Sequence, residues 1–110
     1  MTIESVLGCL PTLKDLAKAN SDEKRKKILK KAKNCVYYSI SEIARNVVKG
    51  NIPISCHRKK LLKPYKTNIR RLGENKITLK QRKKIINQKG GFLANLLIPA
   101  VSILGEIAAK

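Results

Sequence analysis

The stretch Cys35-Val36-Tyr37-Tyr38-Ser39-Ile40-Ser41-Glu42-Ile43-Ala44-Arg45-Asn46-Val47-Val48-Lys49-Gly50 has the spacing of a helix with one buried side. Val36, Ile40, Ile43, Ala44, Val47 and Val48 fall at i, i+4, i+7, i+8, i+11 and i+12, which stacks them on one face. That face predicts burial against neighbouring elements. Gly50 supplies the stop, and Lys49 suits the negative end of the helix dipole. Tyr37 and Tyr38 read as core or rim residues. Aromatic content is only 4%, too little for reading single strands by base stacking.

Upstream, Asn20-Ser21-Asp22-Glu23 reads as a helix start, with Asn20 as cap and Glu23 completing a capping box. The run that follows places Ile28, Leu29 and Ala32 close together on one face. Lys24, Arg25, Lys26, Lys27, Lys30 and Lys31 occupy the others. No acid interrupts Lys24 to Lys33, which exceeds what solubility needs and points to phosphate contact. Before it, Pro11 sits just inside a helix start, and Leu10, Leu13, Leu16 and Ala17 recur at helical spacing, a short packing helix with little charge.

Downstream, a weak internal repeat aligns residues 51–62 with residues 75–86 without gaps. Each unit reads as a short extended entry, a Ser or Thr cap, then a basic helix ending in an aliphatic pair: Leu61 and Leu62 in one, Ile85 and Ile86 in the other. Thr78 and Gln81 form a capping-box pattern. Pro64 should end or kink the first helix, Tyr65 to Leu72 should continue as another helical piece, and Gly73 should close it. Between Arg58 and Lys89 there are 13 basic residues and one acid, Glu74. Candidate phosphate contacts here are Arg58, Lys59, Lys60, Lys63, Arg70, Arg71, Lys80, Arg82, Lys83 and Lys84. Many lysines and few arginines suit point-charge contact with a backbone better than bidentate base reading.

At Gln88-Lys89-Gly90-Gly91-Phe92 the chemistry changes. Residues 1–89 form a basic helical region, 90–91 a Gly-Gly hinge or processing site, and 92–110 a hydrophobic tail. As a helix the tail would align Asn95, Pro99, Ser102 and Glu106 as a narrow polar stripe. Three destinations stay open for its apolar residues Phe92, Leu93, Leu96, Leu97, Val101 and Leu104. They can pack into the domain or self-associate, insert at a membrane interface, or span a bilayer. The fold class expected is all-α: a small bundle of short basic helices with a C-terminal hydrophobic helical tail.

Composition narrows the partners. With 110 residues the chain suits one small domain, or a domain plus a tail. A formal net charge of +18 favours a polyanion: double-stranded DNA or RNA, an anionic membrane, or an acidic protein. Hydrophobic content of 43% is too high for a disordered polycation. Cys9, Cys35 and Cys56 are odd in number and far apart, and His57 is the only histidine. That spacing offers no metal site and predicts separate reduced thiols. No acid/base or nucleophile cluster is evident, so neither an enzyme nor a cofactor is expected. The first ten residues carry Glu4 where a secretory signal would be basic, so an intracellular location is expected.

The segment from Gly90 through Leu93-Ala94-Asn95-Leu96-Leu97-Ile98-Pro99 to Gly105 resembles the C-terminal part of the precursor of adenovirus core protein X (mu). That family has a basic segment, then Gly-Gly, then an aliphatic tail with a similar Leu-Ile-Pro step. Through Val48-Lys49-Gly50-Asn51-Ile52-Pro53-Ile54 and Gln88-Lys89-Gly90-Gly91-Phe92-Leu93, the chain also resembles small proteins of Polinton/Maverick elements and the related adintoviruses. These are virus-like transposons with adenovirus-like virion genes. The resemblance implies a virion DNA-condensing protein of the particle and host nucleus, made as a precursor. It also implies an adenovirus-type cysteine protease as partner, cutting after Gly91, with Gln88, Gly90 and Gly91 as the recognised residues. The chain departs from mu in being rich in lysine rather than arginine, and in its helical N-terminal half.

Overall fold

A computed structural model describes residues 8–19, 21–88 and 90–109, with side chains described as far as Ile103. Among these residues the regular structure is helical. The elements are α1 (Leu10–Lys18), α2 (Asp22–Lys31), α3 (Asn34–Val48), α4 (Cys56–Leu62), a 3-10 turn (Lys63–Tyr65), α5 (Lys66–Leu72), α6 (Leu79–Gln88), a second 3-10 turn (Gly90–Phe92) and α7 (Leu93–Ala109).

Local sequence chemistry sets most of these boundaries. Pro11 sits in the first turn of α1, where its missing N–H costs nothing. Ser21 caps α2 by accepting from the Lys24 N–H at 3.2 Å. The cap is therefore one residue later than the Asn20 expected from sequence; Asn20 itself lies outside the described residues. Ser55 caps α4, accepting from the Arg58 N–H at 3.3 Å. The Thr78–Gln81 box is complete. Gln81 N–H donates to Thr78 Oγ1 at 3.1 Å, and Thr78 N–H donates to Gln81 Oε1 at 3.0 Å. At the end of α3, Gly50 takes a positive φ of 79°. Its N–H bonds the Val47 carbonyl at 3.1 Å and the Asn51 N–H bonds the Asn46 carbonyl at 2.9 Å, a Schellman closure. Pro64 interrupts α4 and α5 with the 3-10 turn rather than a full break.

α3 is the centre of the fold. It packs against α5, α6 and α7, while α7 lies chiefly along α1. Val36, Tyr37, Ile40, Ile43 and Ala44 are buried as the periodicity requires. Tyr37 also donates its hydroxyl to the Leu29 carbonyl at 3.1 Å, tying α3 to α2. Two members of the expected stripe differ: Val47 is half-buried and Val48 is 51% exposed. They lie in the last turn of α3, where they border a surface trough with Ile52, Ile54, Leu62 and Ile69.

The apolar tail is part of this core. Phe92, Leu93, Leu96 and Leu97 are fully buried, Val101 is half-buried, and the side chain of Leu104 lies outside the described residues. The facing side of α1 is built from Leu10, Leu13, Leu16 and Ala17, all buried. Each large aliphatic so covered contributes roughly 1.5–3 kcal/mol. In this fold the four fully buried side chains have no surface left for a membrane or a second copy. No helix among the described residues is long and apolar enough to cross a membrane.

The cysteines differ from the sequence expectation. Cys9 and Cys35 form a disulfide that ties the start of α1 to the first turn of α3, and Cys56 is free and exposed. The packing of two helices brings together residues 26 positions apart, a proximity that spacing along the chain does not reveal.

Candidate nucleic-acid interface

The candidate phosphate-binding residues divide by side chain. The lysines stand out in solvent: Lys24, Lys26, Lys27, Lys30 and Lys31 on α2; Lys59 and Lys60 on α4; Lys63 on the following turn; Lys80 and Lys84 on α6. Arg70 and Arg71 on α5 are exposed as well. On α2 the spacing sets Lys24, Lys27 and Lys31 along one ridge and Lys26 and Lys30 along the next.

The remaining arginines turn inward. Arg82 was expected at the phosphate surface but is only 8% exposed. Its Nε–H donates to Ser41 Oγ at 2.9 Å, and its guanidinium lies 4.8 Å from the centre of the Tyr38 ring. Its place among phosphate contacts is therefore corrected: it is a packing residue between α6 and α3. Arg58 is half-buried and donates from Nη1 to Asn95 Oδ1 at 3.3 Å, which fastens α4 to α7. Arg25 pairs with Asp22 and also reaches the Ala19 carbonyl at 3.4 Å. Arg45, which the sequence did not single out, pairs with Glu42 at 2.8 Å and donates from Nε to the Gly73 carbonyl at 2.8 Å. Lys83 is half-buried, with Nζ 5.4 Å from the Tyr37 ring centre.

The internal repeat carried a signal for two of these. It aligns Arg58 with Arg82, and each precedes its aliphatic pair by three and four residues. That spacing puts both arginines on the apolar face of their helix. A guanidinium presents five donors in a fixed fork and is more weakly hydrated than an ammonium, so it is the cation better suited to a half-dry site.

One stretch gathers exposed cations from successive elements. α4, its 3-10 turn and α5 follow one another as a nearly unbroken helical stretch bearing Lys59, Lys60, Lys63, Arg70 and Arg71. Apart from this stretch, the start of α2 and the end of α6 border a cleft of about 550 Å³ lined by the Asp22–Arg25 pair, Lys26, Asn87, Gln88 and Gly91. The expected processing residues Gln88 and Gly91 thus lie at the wall of this cleft, and both are exposed. Among the described residues no group of three or more His, Cys, Asp or Glu side chains comes together to hold a metal ion. Comparison with protein-family models, with curated proteins and with solved structures gives no match.

Proposed function

We propose that this chain is a structural protein that binds and condenses double-stranded DNA without reading its sequence. The observation that supports this reading is uncompensated charge. The chain has 25 Lys and Arg, and only Arg25 and Arg45 are ion-paired among the described residues. The lysines left over project from short rigid helices, and each acts as a strongly hydrated point charge suited to phosphate oxygens. Phosphate neutralisation of this kind releases counterions and is sequence-tolerant. On this reading the chain acts by binding and not by catalysis. Its resemblance to the adenovirus core protein X precursor supports a virion and host-nucleus setting, with maturation by a cysteine protease cutting after Gly91.

A filter-binding titration with two short duplexes of unrelated sequence tests the proposal. Log affinity should fall linearly with log salt, with a slope of about −0.9 per phosphate neutralised, and equally for both duplexes. An affinity that barely responds to salt, or a strong preference for one duplex, would overturn it.

A further inference from the structure

We infer that a trough between the end of α3 and the α4–α5 stretch docks an acidic amphipathic peptide segment of a partner protein. The trough has a volume of about 700 Å³. Gly50 closes the end of α3, and the segment that follows sets half-buried Ile52 and Ile54 and exposed Pro53 along the trough. Together with Val47, Val48, Leu62 and Ile69 they line the apolar side of the trough. Val48, 51% exposed, serves this lining rather than the core.

The opposite chemistry comes from Lys59, Lys63, Lys66 and Arg70, which also line the trough. They recur at i, i+4, i+7 and i+11, a row about 17 Å long at helical rise. All four are exposed, none is ion-paired among the described residues, and no acid lines the trough.

These two features select the ligand class together. A row of four cations matches a row of anions, whereas a single lipid headgroup would meet only part of it. A nucleic-acid backbone would satisfy the row but has no apolar face to cover the isoleucines, valines and leucine beneath. A helix of about three turns, with an aliphatic ridge flanked by Asp or Glu, satisfies both and matches the length of the row. The carboxylates would steer encounter and set register, and the ridge would supply apolar burial. The inference does not depend on the DNA reading. It shares Lys59, Lys63 and Arg70 with that reading but requires the apolar floor as well.

Fluorescence anisotropy on the full chain tests it. The probe is a labelled helical peptide of about 15 residues with leucine at every third or fourth position and glutamate on both flanks. The control has the same composition, with the leucines scattered around the helix. The patterned peptide should bind at least about tenfold more tightly than the control. Val48→Asn, a neutral polar change at an exposed site that carries no cation, should weaken it at least about tenfold while leaving duplex affinity unchanged. Lys66→Glu, also exposed, should weaken it while leaving the fold intact by circular dichroism. Equal binding of the two peptides would mean charge attraction alone and would overturn the inference, as would indifference to both substitutions. Phosphatidylserine–phosphatidylcholine vesicles that bind in a Val48-dependent way and displace the peptide would assign the trough to lipid and overturn it too.

Discussion

Arg82 and Ser41 join the most basic repeat unit to the central helix: the Nε–H of one meets the Oγ of the other at 2.9 Å in a buried contact. Its guanidinium also lies over Tyr38 at 4.8 Å. A charged hydrogen bond of this kind contributes about 1.5–3 kcal/mol, and its loss leaves Ser41 without the partner it was buried with. Arg82→Ala should therefore lower the urea midpoint by an amount in that range. It should leave the salt slope of duplex binding unchanged, because Arg82 is buried and bonded to Ser41. Lys84→Ala, one turn-face away and exposed, should do the reverse: stability near wild type, and a slope smaller by about 1. Urea denaturation and a salt titration on the same two variants separate the roles.

The contrast explains what could be read before the structure. Elements were legible because local chemistry fixes them. The Thr78–Gln81 box, Gly50 and the interruption at Pro64 each act within a few residues, and the helices begin and end where those signals stand. Exposed lysines were legible for the same reason, since a helix surface follows from spacing. What was not legible depends on which helix meets which. The Cys9–Cys35 bond and the inward turn of Arg58 towards Asn95 require partners 26 and 37 residues away. The trough requires Val48 to meet residues between Ile52 and Arg70, which the periodicity of α3 alone does not show.

Gly73 tests a further tertiary contact, that between the end of α5 and α3. A methyl group built there would sit 2.9 Å from the Arg45 Cα, which is helix backbone and cannot swing aside. Gly73 has a φ of −80°, a conformation that alanine adopts freely. On chain entropy alone Gly73→Ala would then stabilise by about 0.4–1 kcal/mol. The clash between α5 and α3 should reverse that sign and give a net destabilisation of about 1–3 kcal/mol. It should also weaken the Arg45 Nε–Gly73 carbonyl bond. A rise in the urea midpoint would show that the two helices separate at little cost.

The disulfide makes a prediction of its own. Cys9 and Cys35 lie 26 positions apart, and cross-linking a loop of that size removes denatured-state entropy equivalent to about 3.5 kcal/mol. Cys9→Ser with Cys35→Ser, or a reducing agent, should lower unfolding stability by about that much. The helices should persist by circular dichroism, because the buried side of α1 is also held by α7. Cys56→Ser should change nothing in the same assay, since Cys56 is exposed and free.

Processing after Gly91, if it occurs on the folded chain, must contend with the residue that follows. Phe92 is fully buried and its ring sits 5.4 Å from that of Tyr65. The bond to be cut lies inside the Gly90–Phe92 turn, whereas a protease groove holds its substrate extended. Cleavage therefore requires the turn to open and Phe92 to leave the core. When opening and closing are fast compared with cutting, the rate follows the population of the opened state. Phe92→Leu, which keeps an apolar side chain but loses ring contacts, should raise that population. A destabilisation of about 1.4 kcal/mol would speed cleavage about tenfold. The measurement is a time course with an adenovirus-type cysteine protease, read by mass spectrometry for the 1–91 and 92–110 products. Moderate urea below the unfolding midpoint should accelerate the wild type in the same way. Equal rates for wild type, Phe92→Leu and urea-treated chain would mean that the turn is cut as it stands, and the buried phenylalanine would then place no control on maturation.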